Sequence, residues 1–401
     1  MTYRNTWKIY ILAIVSFLVG TSEYIISGIL VQIAHTLGIT LAAAGQLITI
    51  FSLVYALSTP VLMALTASID RRKLMMYALG LFVFGNVLAF VLPGYGWFIA
   101  ARIIMAMGAG VVVVTIAAKI ASEGKQGSAI ATVVMGFTAS LIIGVPLGRM
   151  IAVALGWKSV FGAIALLGLI AMVVIFFTLP HTEGDKPVPL LQQLALFKKR
   201  KVAMGLSITF FWLGGYSVAY TYLSPYLLNI SGINGKLLSG VLLIFGIASL
   251  VGSKFGGYST DKWGVPFTLV GGMTLHIVTL ILLSLVTHSY IGVLMILILW
   301  SFAAWSTGPT QQFHLATIEP EMSGVLLSMN QSMMQFAMAV GAGIGEVFVE
   351  NVSLASITWV GALGVMIAII TSLTIFHSQP KQTLKDIERS NTRSLYKRVF
   401  F

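Results

Sequence analysis

The sequence predicts an all-α integral membrane protein with twelve transmembrane helices in two pseudo-symmetric bundles of six. Two observations support this class. Hydrophobic residues make up 58% of the 401 positions and charged residues only 9%, whereas an ordinary soluble domain has roughly 25% charged residues. The apolar residues also form long runs, and a spanning helix needs about 20 of them because its backbone polar groups must be satisfied internally.

The first predicted bundle, residues 1–180, contains six apolar runs. These runs cover residues 8–32, 42–66, 74–93, 97–121, 128–153 and 158–180. The first run is long, carries a glutamate and is not followed by a small-residue cleavage site, so we interpret it as a retained helix and not as a signal peptide. We therefore expect the mature protein to begin at Met1.

A polar segment, residues 181–201, separates this bundle from a second one at 202–377. The segment ends in the basic cluster Lys198 to Lys201 and contains two prolines, as expected of a cytoplasmic linker. The second bundle again has six runs, at 202–229, 237–260, 266–286, 289–317, 324–349 and 355–377. Residues 378–401 form a basic tail, which we expect to be solvated in the cytoplasm or to rest on anionic lipid.

The net charge of +12 does not indicate a nucleic-acid partner, because the cations lie in short loops between apolar runs. If both termini are cytoplasmic, all Lys and Arg residues lie on the cytoplasmic side except Arg102, Arg149, Lys158 and Lys236. The positive-inside bias favours this orientation, and we expect a multi-pass protein of the inner (cytoplasmic) cell membrane. The chain has no cysteine, which excludes disulfides, thiolate metal sites and a cysteine nucleophile.

The two halves share a short loop pattern that indicates an internal duplication. An aspartate followed by a basic residue, Asp70-Arg71, comes after the second run, and Asp261-Lys262 comes after the eighth. Matching acid–base pairs in equivalent loops are expected when a transporter is built from two related halves.

These loops resemble the loop motif of the major facilitator superfamily, in its drug/proton antiporter-1 branch. The second copy matches the family pattern at Gly257, Asp261, Lys262 and Gly264, whereas the first has Thr66 in place of the leading glycine. The resemblance implies the fold of that superfamily, with alternating access between two rocking bundles. It also implies that the two loops, with Asp70 and Arg71 in the first copy, act as cytoplasmic gates.

The fifth run carries a second resemblance, to the antiporter motif of exporting branches. Its residues are Gly136, Gly144, Pro146 and Gly148, although Arg149 replaces the closing glycine of the family. Glycines allow helices to approach closely, and the proline interrupts the backbone hydrogen bonds, so we expect a bend there.

Residues 20–30, GTSEYIISGIL, resemble a subgroup of that branch, which includes purine base and nucleoside efflux permeases, sugar-efflux permeases and chloramphenicol exporters. The purine permeases are the most similar through the first half. The resemblance implies a monomeric secondary transporter that exports a small organic solute, such as a purine base or nucleoside, in exchange for protons. A multidrug, chloramphenicol or sugar exporter is the alternative, and drug resistance is then an expected phenotype.

Glu23 is the strongest functional candidate because a charged group inside the membrane costs roughly 3 kcal/mol or more. An acid at this depth suits a reversible proton carrier, and a structural hydrogen-bonding acid is the alternative. At a rise of about 1.5 Å per residue, Glu23 and Arg102 reach about the same depth from opposite faces. Arg102 is therefore the expected partner of Glu23 in proton coupling, and a static ion pair or a snorkelling arginine is the alternative.

A transport cavity needs polar and aromatic groups at mid-membrane depth. The candidates are Tyr24, Gln46, Tyr55, Trp212, Tyr216, Tyr220, Trp305, Gln311 and Gln335. Flat rings and amides would suit a planar heteroaromatic ligand through stacking and hydrogen bonding, although aromatic residues in membrane helices also serve in packing.

Other classes of function lack their residues. His276 and His314 each stand without a second ligand at metal spacing, so we expect no metal and interpret both as core histidines. No Gly-Lys-Ser/Thr phosphate loop is present, so a proton gradient and no cofactor is expected to supply the energy. A membrane enzyme or sensor would need a catalytic cluster or a soluble domain, and neither is evident. An importer of the same fold is the remaining alternative.

Overall fold

The structure, a computed structural model, describes residues 6–66, 68–112, 132–133, 136–179, 195–287, 289–319 and 323–377. These residues are almost entirely helical and contain no strand, which confirms the predicted fold class. The helices are α1 Thr6–Leu37, α2 Leu41–Leu65, α3 Arg71–Val91, α4 Tyr95–Val112, α5 Gly136–Leu155, α6 Lys158–Thr178, α7 Arg200–Thr221, α8 Leu223–Asn229, α9 Gly235–Leu285, α10 Tyr290–Ile318, α11 Ser323–Asn351 and α12 Ile357–His377.

Ten helices among the described residues are long and apolar enough to cross a membrane, and the start of α4 adds a shorter apolar helix. The 51-residue α9 is about 76 Å long at 1.5 Å per residue, far more than the roughly 30 Å of a bilayer core. It reverses direction at Gly264. The evidence is that the side-chain oxygens of Ser259 and Thr268, nine residues apart, lie within 2.7 Å of each other, which a straight helix would not allow. The helix therefore supplies two crossings, consistent with twelve in all.

Gly264 makes this reversal possible. Its backbone has φ 83° and ψ 167°, a region that is essentially restricted to glycine. The two predicted spans 237–260 and 266–286 are thus joined by a sharp kink with almost no intervening loop.

The predicted span 202–229 is divided into α7 and α8 at Tyr222. Pro225 explains the break, because it has no N–H to donate to the carbonyl of Thr221 four residues earlier. Tyr222 leaves the helical conformation at φ −105° and ψ 16°. The tip of this crossing is consequently a separate short helix.

Helix α5 contains the expected irregularity in the form of a π turn at Ser140–Gly144. Val145 donates its N–H to the carbonyl of Ser140, five residues earlier, and Pro146, the next residue, has no N–H to donate. A wide turn at this point accommodates the loss of one α-helical hydrogen bond.

Helices α1 to α6 form the first half of the molecule and α7 to α12 the second. We call the end of the bundle at which α1 begins and α12 ends the terminal face, and the other end the opposite face. The halves meet where α2 packs on α11, α5 on α9 and α1 on α8. These pairs of helices place the centre of α1 at the interface.

Candidate functional site

Glu23 lies at the centre of α1, at the interface between the two halves. Its side chain is 3% exposed, and Oε1 accepts a hydrogen bond of 3.0 Å from Nε2 of Gln335 on α11. Oε2 has no hydrogen-bond partner among the described residues. A carboxyl group thus forms part of the direct contact between the halves and keeps one oxygen available.

Arg102 of α4 lies beside Glu23, as the predicted depths require. Its Nη1 donates to the carbonyl of Ser22 at 2.7 Å and its Nε to that of Leu47 at 3.2 Å. The guanidinium carbon is 4.0 Å from the ring centroid of Phe51. Arg102 therefore ties α1 and α2 to α4 within the first half.

The static ion pair between Glu23 and Arg102, which the sequence left as an alternative, is not formed within 4.0 Å in this structure. Two backbone carbonyls and the face of Phe51 hold the guanidinium, while Gln335 holds the carboxyl group. The two charges still attract each other electrostatically. Arg102 acts on Glu23 as a fixed neighbouring charge and not as a hydrogen-bond partner.

A small cavity adjoins Glu23. It is lined by Glu23, Tyr24, Ser27, Ile48, Ser52, Tyr220, Thr221 and Met338. The space open to a water-sized body is about 10 Å³, which is room for about one water molecule. In this structure the cavity is therefore closed to an organic solute, and its walls must separate before one can enter.

Several predicted cavity residues do lie at this centre. Tyr24 and Tyr220 line the cavity with ring centroids 6.2 Å apart, and Tyr216 stacks on Tyr220 at 5.1 Å. Gln335 joins them through Glu23, and Tyr55 is fully buried on α2. Flat rings and an acid thus share one site, as the sequence indicated.

Trp212 and Trp305 lie farther back in the second half. Trp305 packs edge-on against Tyr216 with centroids 6.2 Å apart. Trp212 is 3% exposed and lies close to Gly308 of α10. Neither tryptophan lines the cavity of this closed state.

Two predicted cavity residues, Gln46 and Gln311, do not line this cavity, and their role as ligand contacts stays a prediction. Gln46 lies near the opposite face, where it bonds Glu346 and Tyr95. Gln311 donates to the carbonyl of Gly205 at 2.7 Å and to the hydroxyl of Thr209 at 2.9 Å. In a low-dielectric environment, an amide is held by whichever neighbouring helix offers a partner.

Five lining residues were not identified from the sequence: Ser27, Ile48, Ser52, Thr221 and Met338. Helical spacing could have found some of them, because residues three or four apart share a face. Ser27 follows Glu23 by four positions, and Met338 follows Gln335 by three. Extending each strong candidate along its own helix face would have found these two residues.

The opposite face is closed by polar contacts between the halves. Arg149 of α5 is buried, with Nη1 donating to Gly28 of α1 at 2.9 Å and Nη2 to Gly235 of α9 at 3.3 Å. Gln46 of α2 donates to Glu346 of α11 at 2.6 Å. Glu346 is half-buried at this contact.

The two gating loops lie on the terminal face, one between α2 and α3 and the other within α9. Asp70 accepts a hydrogen bond of 3.0 Å from the backbone N–H of Lys73 and so caps α3, while Arg71 is 2% exposed. Asp261 is exposed, and the ammonium of Lys262 lies over the rings of Tyr258 and Trp263. A latch role for these residues stays a prediction for another state.

The glycines of the antiporter motif lie where α5 contacts α1. A methyl group on Gly136 would meet the backbone of Ala13, one on Gly144 would meet Thr21, and one on Gly148 would meet Ile25. Gly20 of α1 is equally close to Ser140. The small residues therefore permit close approach of these two helices.

His276 and His314 are both buried in the second half. His276 packs among aromatic rings, and His314 packs against Phe376 with centroids 5.5 Å apart. No group of three potential metal-ligating side chains occurs among the residues that the structure covers.

Comparison with known proteins agrees with this architecture. The Major Facilitator Superfamily model matches residues 12–342. The chain is 96% identical over 388 residues to "Uncharacterized MFS-type transporter YbcL" of Bacillus subtilis (strain 168), covering 96% of this chain and 100% of that protein. It is 28% identical over 382 residues to "Inner membrane transport protein YdhP" of Escherichia coli (strain K12), covering 94% and 97%.

A solved structure shows the same fold. It is a bacterial homologue of the human lysosomal transporter Spinster in an inward-facing, occupied conformation, with a TM-score of 0.76 at 14% identity over 94% of this chain and 98% of that one. The matching family model and these relatives place the function in transport and not in catalysis. The chain belongs to the major facilitator superfamily and is a multi-pass membrane transporter.

Proposed function

We propose that this transporter exports a small planar heteroaromatic solute, such as a purine base or nucleoside, in exchange for protons. It would work as a monomer in the cell membrane by alternating access, with both termini in the cytoplasm and the proton gradient as its energy source. Glu23 would carry the proton. The terminal face would then be cytoplasmic and the opposite face external.

The observation that carries this proposal is the hydrogen bond from Gln335 to Glu23 across the interface. As a carboxylate, Glu23 accepts from the amide N–H of Gln335. As a neutral acid, it can donate to Oε1 of Gln335, which has no partner among the described residues. The same pair of side chains thus offers one contact for each protonation state, and the contact joins the two moving halves.

Arg102 gives the charged form of Glu23 a compensating cation. Because two carbonyls of α1 and α2 hold its guanidinium, that charge stays in place while the halves move. A carboxylate inside the membrane costs several kcal/mol when it is alone. The fixed arginine reduces this cost and lets the acid release its proton on the cytoplasmic side.

Tyr24 and Tyr220 would bind the solute. Their rings meet edge to face beside Glu23, with an interplanar angle of 86°, and each belongs to a different half. Separation of the halves would expose two aromatic faces, which suit a flat ligand by stacking. A solute bound between them would compete with the proton for the region around Glu23, which couples the two flows.

Everted membrane vesicles test the proposal. Acidifying their lumen should drive accumulation of hypoxanthine, adenine or guanosine by the wild type, because the lumen corresponds to the outside. Glu23→Gln should still bind solute. Its accumulation of solute under the pH gradient should fall at least tenfold, since an amide cannot release a proton. Glu350→Gln, at an exposed acid on α11, is the matched control and should keep the acceleration.

Two results would contradict the proposal. Gradient-driven accumulation that persists in Glu23→Gln would remove Glu23 as the proton carrier. Accumulation of solute in the lumen when the lumen is made alkaline would indicate an importer, because solute would then move together with protons. The same assay should be run with chloramphenicol, a cationic drug and a sugar. Transport of one of these compounds without transport of purines would identify the protein as an alternative exporter of this fold.

A further inference from the structure

The second half contains an aromatic cluster around Tyr216 that has no role in the transport cycle proposed above. We define the rear cluster as Tyr216, Phe245, His276, Trp300 and Trp305. Tyr216 lies 6.2 Å from His276, 5.7 Å from Trp300 and 6.2 Å from Trp305, measured between ring centroids. His276 and Trp300 are themselves 6.1 Å apart.

The rear cluster is continuous with the cavity beside Glu23. Tyr220 lines that cavity, and Tyr216 stacks on it at an interplanar angle of 15°. Phe245 contacts both Tyr220 and Trp300, with centroids 5.8 Å and 5.2 Å away. Ring contacts through Tyr216, Tyr220 and Phe245 therefore connect His276 and Trp300 to this cavity.

The polar atoms of this cluster are unsatisfied. His276 and Trp300 are both fully buried. Neither Nδ1 nor Nε2 of His276, nor Nε1 of Trp300, has a hydrogen-bond partner among the described residues. Buried polar groups are normally hydrogen-bonded because leaving them unpaired is costly. The unpaired nitrogens of His276 and Trp300 therefore call for a partner that arrives in another state.

The chemistry of these nitrogens defines the partner. A neutral histidine offers one N–H donor and one acceptor, and a tryptophan offers one N–H donor. The two nitrogens of the imidazole ring point in divergent directions, so a ligand edge that offers a donor or an acceptor would satisfy one of them, and a ring acceptor of the same ligand would satisfy the tryptophan. Purines have such edges, and their flat rings stack on Tyr216 and Phe245.

We propose that the rear cluster is the specificity subsite for the transported solute, and that His276 and Trp300 read the hydrogen-bonding edge of a planar heteroaromatic ring. In this structure Tyr216 blocks access to His276 and Trp300; when solute enters, its ring moves and stacks on the solute. The inference rests on the heteroaromatic substrate class proposed above, but it does not depend on proton coupling.

Binding measurements on the purified full-length protein in detergent test this subsite without a proton gradient. Isothermal titration with hypoxanthine, adenine and guanine should give an affinity for the wild type that falls at least tenfold in His276→Phe. That variant keeps a buried ring and loses both nitrogens. His276→Gln, which restores a donor and an acceptor, should recover part of the affinity, and Trp300→Phe should lose about fivefold.

His314→Phe is the matched control. His314 is also buried in the second half, but it packs on Phe376 near the terminal face, so purine affinity should stay within twofold of the wild type. Tetraphenylphosphonium, which is aromatic but cannot form hydrogen bonds, serves as the control ligand. Any binding of this cation should not distinguish His276→Phe from the wild type.

The outcomes separate this inference from the proposed function. Purine binding that is equal in His276→Phe and the wild type would overturn the subsite, as would the absence of binding by all three bases. A purine affinity that depends on His276, together with transport indifferent to the pH gradient, would support the subsite and overturn the proton exchange. If His276→Phe fails to fold, judged by its melting transition, His276→Gln and Trp300→Phe decide.

Discussion

Gln46 of α2 and Glu346 of α11 are joined by a hydrogen bond of 2.6 Å that crosses from one half of the transporter to the other. The amide oxygen of Gln46 in turn accepts from the hydroxyl of Tyr95 at 3.0 Å. Tyr95 belongs to α4, so this series of hydrogen bonds connects three helices at the opposite face. Because Glu346 is an acid at that face, the contact depends on its charge.

Glu346→Gln should therefore favour opening of the opposite face. A hydrogen bond to a carboxylate is about twice as strong as one between neutral groups, so we expect a population shift of about fivefold. Spin labels on cysteines introduced at the exposed residues Thr36 and Asn351 would report the distance between the halves, since the chain has no other cysteine. Glu350→Gln is the control, and an unchanged distance distribution in Glu346→Gln would refute this role.

Arg149→Ala should open the same face more strongly. Arg149 donates to the carbonyls of Gly28 and Gly235, which belong to different halves, and its loss would leave both carbonyls without this donor. We expect at least a tenfold shift in the same spin-label measurement. Lys236→Ala removes an exposed cation next to Gly235 and should leave the distances as they are. Equal effects of the two substitutions would mean that charge alone is responsible.

Gly264→Ala should destabilise the protein through backbone strain. The φ of 83° at this position costs a residue with a side chain about 1 to 3 kcal/mol. We expect a lower melting temperature in detergent, measured by intrinsic fluorescence. Gly257→Ala, in the same loop motif but with open space around it, is the matched control. Identical melting curves for the two variants would show that the kink tolerates a side chain.

Gly136→Ala should weaken the contact between α5 and α1. The added methyl group meets backbone atoms of Ala13, which cannot turn aside as a side chain could, and overpacking typically costs about 1 to 3 kcal/mol. Gly240→Ala, on α9 with nothing nearby, should be neutral or gain up to about 1 kcal/mol. Thermal unfolding of both variants would decide, and a stable Gly136→Ala would argue against tight packing here.

Much of the fold follows from the sequence because hydropathy, loop charge and chain length are local properties. The twelve apolar runs and the shared depth of Glu23 and Arg102 both depend on counting residues along a helix. The division at Tyr222 was not predicted, although Pro225 four residues after Thr221 would have indicated it.

The site was only partly predictable, because the direction in which a side chain faces depends on its neighbours. Gln335 and Gln311 are similar amides in adjacent helices, yet one bonds Glu23 and the other pins α10 to α7. His276 resembled an ordinary core residue until its surroundings were known. Depth can be read from a sequence, whereas the choice of partner across an interface needs tertiary structure.

The π turn of α5 has a geometric consequence for the contact with α1. Gly136, Ser140, Gly144 and Gly148 recur every four residues, and on an ideal α-helix such a series rotates by about 40° per step around the axis. A π turn advances by less per residue, so over the step from Ser140 to Gly144 it rotates the series back by about 30°. The wide turn thus corrects the drift and keeps four small side chains aligned along one neighbour over three successive turns.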